Sequence, residues 1–179
     1  GDVYKRQTLS RKWDLIVIAV SSLGIDLIGK NLSKIKNKTP ILVLTKGLKL
    51  DGRNLISMSS LLRKYNKNLN ISVLKGPCLA KELVRKVKSF TVVANKNINT
   101  AKKIGKLIST NYYQTEFSRD VNGVEFLSAI KNIYSMIIGS GQWHNTSSAL
   151  FRKSIDEMKY LSNYFKGKKE TVYGLAGVG

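Results

Sequence analysis

The feature that most constrains the fold is an alternation of short apolar runs with segments of helical spacing. Five runs rich in β-branched residues have the composition of strands buried on both faces: 13–20, 40–45, 70–74, 90–94 and 112–117. Between them, apolar residues recur at helical intervals in four segments: 24–35, 54–65, 79–87 and 99–109. The alternation predicts a layered α/β domain with a mainly parallel sheet.

The pattern changes near residues 118–120. One long, largely apolar stretch runs over 121–141, an amphipathic helical stretch covers 145–165, and no further strand is predicted. We therefore expect an α/β region over 8–118 and a helical region over 119–179. Glu125 and Lys131 interrupt the apolar stretch, which makes it a poor membrane span, so we expect no membrane insertion.

The charge and cysteine content limit the function classes. The 179 residues carry a formal charge of +20, which favours anionic ligands. The basic residues are mostly lysines scattered among asparagines and aliphatics, a composition that AT-rich codons also produce, so we expect no nucleic-acid partner.

Cys78 is the only cysteine, so the chain has no internal disulfide or cysteine-based zinc site, and we expect no metal. A lone thiol suits a reducing cytoplasm.

Two lysines are the candidate functional residues that the pattern itself singles out. Lys131 lies in FLSAIKNIYSMII, where burial and a nearby cation would lower its pKa and make it a general acid or base. The alternative is that Lys131 pairs with a carboxylate or reaches water. Lys46 directly follows a predicted strand, at the edge where α/β folds bind ligands, although an ordinary solvated lysine also fits there.

Six stretches together carry a family resemblance: DLIVIAVSS (14–22), ILVLTKGL (41–48), ISVLKGPCLAKEL (71–83), DVNGVEFLSAIKNIYSMIIG (120–139), NTSSALFRKSIDEM (145–158) and YGLAGVG (173–179). In this order they resemble the bacterial NAD(P)-dependent glycerol-3-phosphate dehydrogenase family. The third stretch is similar to the family's S-G-P-x-x-A-x-E motif and the fourth to its D-x-x-G-V-E…A-x-K-N segment. The resemblance implies the later half of a Rossmann-type domain, followed by the start of an all-α domain.

The resemblance implies that the enzyme reduces dihydroxyacetone phosphate to sn-glycerol 3-phosphate with NADH or NADPH, for glycerophospholipid synthesis. Lys131 matches the catalytic lysine, which would give a proton to the ketone oxygen. Lys46 matches a lysine that contacts both the substrate and the nicotinamide. A homodimer is common in the family.

Five further positions take roles from the same motifs. Gly76 and Cys78 match substrate-contacting positions, and Ala80 matches a cofactor-contacting one. Glu82 and Asn132 complete the two motifs as supporting residues. The chain departs from the family in having Cys78 where Ser or Thr is usual. It also has Lys75, where Ser usually precedes the Gly-Pro pair.

The two ends of the sequence suggest a fragment. The family's G-x-G-x-x-G fingerprint would lie upstream, its motif Asp would directly follow Gly179, and its phosphate-binding Arg-Asn pair would lie beyond, so we expect the piece itself to be inactive. Residues 1–7, GDVYKRQ, contain six residues that the codons GAT GTG TAT AAG AGA CAG encode. These codons match a transposon end used to tag DNA libraries, and we interpret 1–7 as an adapter-derived artefact.

Two alternatives stay open at this point. A related Rossmann dehydrogenase could act on another phosphorylated or carboxylated substrate, since Cys78 changes a substrate-contacting position. A non-catalytic basic binding protein would also carry the observed charge, and a steep salt dependence of DNA affinity would favour it.

Overall fold

The computed structural model describes residues 13–33 and 39–179. The adapter hypothesis for residues 1–7 therefore falls outside the described residues. Seven strands are present in this part of the chain: β1 Ile16–Ile18, β2 Ile41–Val43, β3 Leu48–Asp51, β4 Asn54–Ser57, β5 Ile71–Lys75, β6 Ser89–Ala94 and β7 Tyr113–Ser118.

Five of the strands form one sheet in the order β1-β2-β5-β6-β7. Every neighbouring pair is parallel except β5 and β6, which are antiparallel. The prediction of a mainly parallel sheet is therefore confirmed. Val43 of β2 pairs in register with Val73 of β5, so these two strands end side by side at the same edge.

Six α-helices accompany the strands in the described part of the chain: α1 Ile25–Leu32, α2 Met58–Tyr65, α3 Ala80–Val84, α4 Ile98–Ile108, α5 Val121–Gly139 and α6 His144–Tyr164. α3 is shorter than the predicted helix over 79–87. Lys86 has a left-handed backbone with φ of 58°, which stops the helix from continuing. No strand follows Ser118 within the described residues, as expected.

The helix predicted over 54–65 is wrong in its first four residues. Residues 54–57 form β4, which pairs antiparallel with β3 as a hairpin, and the helix starts only at Met58. Gly52 is the first of the two loop residues and has φ of 60°, a conformation that two-residue hairpin turns require. Ser57 then ends the hairpin and caps α2, because its side chain accepts a hydrogen bond from the Ser60 N–H.

Apolar residues fill both faces of the sheet. On one face, strand residues such as Ile41, Val43 and Val73 pack against residues of α1, α2 and α5 that include Ile25, Leu62 and Val124. On the opposite face, Leu42 and Val93 pack against Ala101 and Ile104 of α4. A third cluster, beyond the sheet, joins α5 to α6 through Phe126, Leu127, Ile130 and Met158.

Asp120 stands between the sheet and the helical region. It lies between the end of β7 at Ser118 and the start of α5 at Val121, and its side chain accepts a hydrogen bond from the Gly123 N–H. The division of the chain into two domains near 118–120 stays a prediction. None of the helices in the described ranges is long and apolar enough to cross a membrane.

Candidate functional site

Lys131 is a half-buried lysine in the middle of α5. Its Nζ donates a hydrogen bond of 2.6 Å to the backbone oxygen of Gly179. Burial lowers the pKa of Lys131, and the positive charge of Lys46 lowers it further. The structure thus brings the two lysines that the sequence singled out close enough for their charges to interact, and the pKa of Lys131 is shifted in the direction that favours a proton donor.

Lys46 reaches this position because it follows β2 at the carboxyl edge of the sheet. It is exposed, whereas the preceding residue, Thr45, is buried. The Thr45 hydroxyl donates a 2.7 Å hydrogen bond to the carbonyl oxygen of Val20, which ties the turn to the chain segment after β1. Lys46 is therefore a solvent-facing cation on an anchored backbone.

A third lysine, Lys75, ends β5 at the same edge. It is only 3% exposed, and its Nζ donates hydrogen bonds to the carbonyl oxygens of Leu44, at 3.1 Å, and of Thr45. Burial lowers its pKa to about 8, with a smaller lowering effect from Lys46 and an opposing one from Glu125. A charged group this deeply buried is costly unless it is paired or hydrogen-bonded, and here the two carbonyls supply the bonds.

Glu125 is the buried carboxylate of the site. It lies on α5 and is 3% exposed. Its side chain accepts hydrogen bonds from the Ser57 hydroxyl at 2.7 Å, from the Ser59 N–H at 3.0 Å and from the Ser59 hydroxyl. Burial lowers the pKa of Lys75 and of Arg63, a partly buried residue of α2, and the negative charge of Glu125 opposes that lowering at both groups.

The charges of this region do not balance. Among the described residues, the interacting cations of this region are Lys46, Lys75, Lys131 and Arg63. Glu125 is the only described carboxylate whose charge acts on Lys75, Lys131 or Arg63. Because the three lysines at the carboxyl edge of the sheet outnumber this one carboxylate, a net positive field remains there. Such a field favours an anionic ligand.

The remaining predicted site residues follow β5. Gly76 is buried and has φ of 133°. A side-chain carbon there would lie 3.1 Å from the Thr91 Cα atom of β6 and 3.4 Å from the Phe90 carbonyl oxygen. The turn after Lys75 therefore requires glycine. Cys78 and Ala80 are exposed, as are the two predicted supporting residues, Glu82 and Asn132. The contacts of Cys78 with substrate and of Ala80 with cofactor, and the supporting roles of Glu82 and Asn132, stay predictions.

Two family models match the chain. The model described as NAD-dependent glycerol-3-phosphate dehydrogenase N-terminus matches residues 5–101, and the C-terminus model of the same family matches residues 120–179. The chain belongs to the NAD-dependent glycerol-3-phosphate dehydrogenase family. The resemblance stated from the six sequence stretches is thereby confirmed.

Individual family members agree with this assignment. The chain is 34% identical over 171 residues to glycerol-3-phosphate dehydrogenase [NAD(P)+] of Clostridium botulinum strain Alaska E43, covering 93% of this chain and 51% of that protein. It is 33% identical to the protein of the same name from Saccharophagus degradans, covering 93% of this chain and 47% of that one. The chain thus spans about half the length of the curated relatives it matches.

Solved structures of the family have the same fold. A glycerol-3-phosphate dehydrogenase from Coxiella burnetii is 27% identical, with a TM-score of 0.81 over 93% of this chain and 52% of that one. A Plasmodium falciparum glycerol-3-phosphate dehydrogenase, at 19% identity, has a TM-score of 0.82 over 92% of this chain and 48% of that one. The prediction of a Rossmann-type region followed by the start of a helical domain is confirmed.

Sequence reasoning missed two charged residues of the site. Lys75 was noted only as a departure from the family pattern, and Glu125 only as an interruption of an apolar helix. Each carried a usable signal, since a charged residue within or directly after an apolar run needs a partner when that run is buried. In the structure each has one: Lys75 binds two backbone carbonyls, and Glu125 binds two serines.

Proposed function

We propose that the full-length protein reduces dihydroxyacetone phosphate to sn-glycerol 3-phosphate with NADH or NADPH. The observation that carries the proposal is the juxtaposition of Lys131, whose pKa is lowered, with Lys46 at the carboxyl edge of the sheet. Family membership supplies the reaction class, and the positive field suits a phosphorylated substrate.

The residues at this edge fit a nicotinamide dinucleotide. Open α/β sheets bind such ligands outside the carboxyl ends of their strands, and the segments after β1 and β2 lie there, joined by the Thr45–Val20 hydrogen bond. The dinucleotide is anionic, and the excess of cations described above is complementary to it. When bound, the cofactor supplies the hydride that is transferred to the carbonyl carbon of the substrate.

In this proposal Lys131 donates the proton that the reduced substrate needs. As hydride reaches the carbonyl carbon, the C=O π electrons move to the oxygen, and Lys131 Nζ–H protonates that oxygen to form the alcohol. The charge of Lys46 stabilises the developing oxyanion and makes Lys131 a stronger acid. Gly76 and Cys78 would contact the substrate, Lys46 both substrate and nicotinamide, Ala80 the cofactor, and Glu82 and Asn132 would support them.

The test is a set of substitutions at Lys131 in the full-length enzyme, with nicotinamide oxidation measured against dihydroxyacetone phosphate. We expect Lys131→Ala to lower kcat by about 10²–10⁴ with folding intact. Lys131→Arg should stay nearly as inactive, because it restores the charge but not a group that can release a proton. Lys153→Ala, at an exposed lysine of α6, is the matched control and should leave turnover unchanged. Wild-type turnover by Lys131→Ala would refute the role.

The same assay separates the alternatives. A full-length protein that oxidises the nicotinamide only with another phosphorylated or carboxylated ketone is a related dehydrogenase of different specificity. A protein with no such activity, but with salt-dependent DNA affinity, is the basic binding protein considered above.

We also propose that the enzyme works in the cytoplasm as a homodimer and feeds glycerophospholipid synthesis. The support is the single cysteine, together with the dimers and the metabolic role common in the family that the chain resembles. Sedimentation of the full-length protein tests the dimer, and a monomer at micromolar concentration would contradict it. Glycerophospholipid labelling in cells depleted of the enzyme tests the metabolic role.

A further inference from the structure

Lys75 is the one lysine of the site to which the proposed reaction gives no task. It is almost fully buried, and its Nζ donates to the carbonyl oxygens of Leu44 and Thr45. These two residues directly precede Lys46 in the chain. The turn that carries Lys46 is therefore held on one side by the Lys75 ammonium and on the other by the Thr45–Val20 hydrogen bond.

We propose that Lys75 is a positioning residue, which fixes the turn after β2 so that the Lys46 ammonium stays beside Lys131 in a positive site for a phosphorylated substrate. The inference rests on the proposed function for its effect on turnover. The anchoring of the turn is independent of that function, because it follows from two hydrogen bonds to backbone carbonyls.

The surroundings of Lys75 make this anchor sensitive to pH. Glu125 faces it from α5, Lys46 from the segment after β2, and Arg63 lies on α2, where its guanidinium donates to the Ile71 carbonyl oxygen of β5. The neighbouring strand β6 contains no titratable side chain. Because the pKa of Lys75 falls to about 8, the group is an ammonium at neutral pH and an amine above that value.

Loss of that proton would weaken the site in two ways. A charged donor makes hydrogen bonds roughly twice as strong as a neutral one, so the turn would be held less firmly. The positive field on the substrate would also fall by one charge. The full-length enzyme should therefore lose part of its affinity for dihydroxyacetone phosphate as the pH rises through about 8.

The test compares Lys75→Met with Lys75→Gln in the full-length enzyme, in assays on both sides of pH 8. Methionine fills the space without donors, and we expect it to lower kcat/KM by about tenfold or more, mainly through KM. The glutamine amide can donate to both carbonyls without a charge. We expect Lys75→Gln to recover most of the loss seen with methionine but to lack the alkaline decrease near pH 8. Lys96→Met, at an exposed lysine after β6, is the control.

A second variant moves the pH dependence instead of removing it. Because Glu125 raises the pKa of Lys75, Glu125→Gln should shift the alkaline decrease to lower pH. The proposal is overturned if Lys75→Met keeps the wild-type kcat/KM and pH profile. It is also overturned if a folded Lys75→Gln enzyme retains the decrease near pH 8.

Hydrogen exchange of the peptide covering residues 44–48 distinguishes failure of this inference from failure of the proposed function. Faster exchange in Lys75→Met than in Lys96→Met supports the anchoring of the turn, even if dihydroxyacetone phosphate is not the substrate. Equal exchange in the two variants contradicts the anchoring, whatever the wild-type enzyme turns over.

Discussion

Gly76 shows how one residue fixes the geometry of the site. Its φ of 133° and the 3.1 Å approach to the Thr91 Cα atom leave no room for a side chain. We expect Gly76→Ala to lower the free energy of unfolding of the full-length enzyme by about 1–3 kcal/mol, because alanine is strained in that backbone region. Chemical denaturation measures the change.

The matched control for this substitution is Gly139→Ala. Gly139 is the last residue of α5, its φ lies outside the positive range, and nothing lies within 4 Å of the added carbon. Alanine favours helix over glycine, so the control should be neutral or stabilising by up to about 1 kcal/mol. Equal effects of the two substitutions would contradict the strain argument.

The site residues differ in how far the sequence could predict them. Lys131 was predictable because it lies inside an apolar helix, and Lys46 because it directly follows a buried strand. The role of Lys75 was not predictable, since its partners are backbone carbonyls of the turn after β2, and every residue has such a carbonyl whatever its type. Likewise, the serines that bind Glu125 lie 66 and 68 residues before it.

At the level of elements, Asp120 joins the start of α5 to the segment that follows α6. One carboxylate oxygen accepts from the Gly123 N–H at 2.9 Å, and the other accepts from the Lys168 N–H at 2.7 Å and the Thr171 hydroxyl at 2.6 Å. Asp120 is 7% exposed, so these donors have little access to water. A single buried side chain thereby holds α5, and with it Lys131, against the segment that follows α6.

We expect Asp120→Asn to lower the free energy of unfolding of the full-length enzyme by about 2–3 kcal/mol. An amide nitrogen cannot accept, so it would leave at least one buried donor without a partner. Asp156→Asn on α6 is the matched control, because its ion pair with Arg152 is exposed to solvent and screened, and should contribute little to stability. A loss at Asp156 as large as that at Asp120 would contradict the prediction.

The β3–β4 hairpin explains why one element was assigned wrongly from sequence. In NLISMSSLLRKY the apolar residues satisfy a helical spacing from Leu55 onward, and the short apolar pair Leu55–Ile56 fits either a helix or a short strand. Pairing with β3 decides between the two, and a single-segment pattern contains no information on that partner. The local signals were Gly52 at the start of the two-residue turn and Ser57 as a helix cap.

At the scale of the whole molecule, part of the charge of +20 lies on the lysines of the candidate site. Most of the lysines are exposed and interact weakly with one another at physiological ionic strength. Those at the carboxyl edge of the sheet act on each other through a partly buried environment, where screening is weaker. The composition therefore predicted an anionic ligand but not its place, which depends on the packing of α5 against β5.

The buried Lys75 ties this site to the stability of the molecule. Its pKa of about 8 in the folded state lies below the ordinary value of 10.5, so between these values the unfolded chain binds more protons than the folded one. Stability contributed by this group therefore increases with pH. Relative to Lys75→Met, the full-length wild type should gain about 2 kcal/mol of unfolding free energy between about pH 7 and about pH 9.5.

Denaturant titrations of the two proteins at both pH values measure this difference, and the methionine variant cancels the contribution of every other titrating group. Lys96→Met should show no such pH-dependent difference, because that lysine is exposed. If the difference in unfolding free energy between wild type and Lys75→Met did not change with pH, burial would not lower the pKa of Lys75, and the prediction would be wrong. A wild-type stability that rises with pH relative to Lys75→Met would show that the buried ammonium, which strengthens the site, also costs stability at neutral pH.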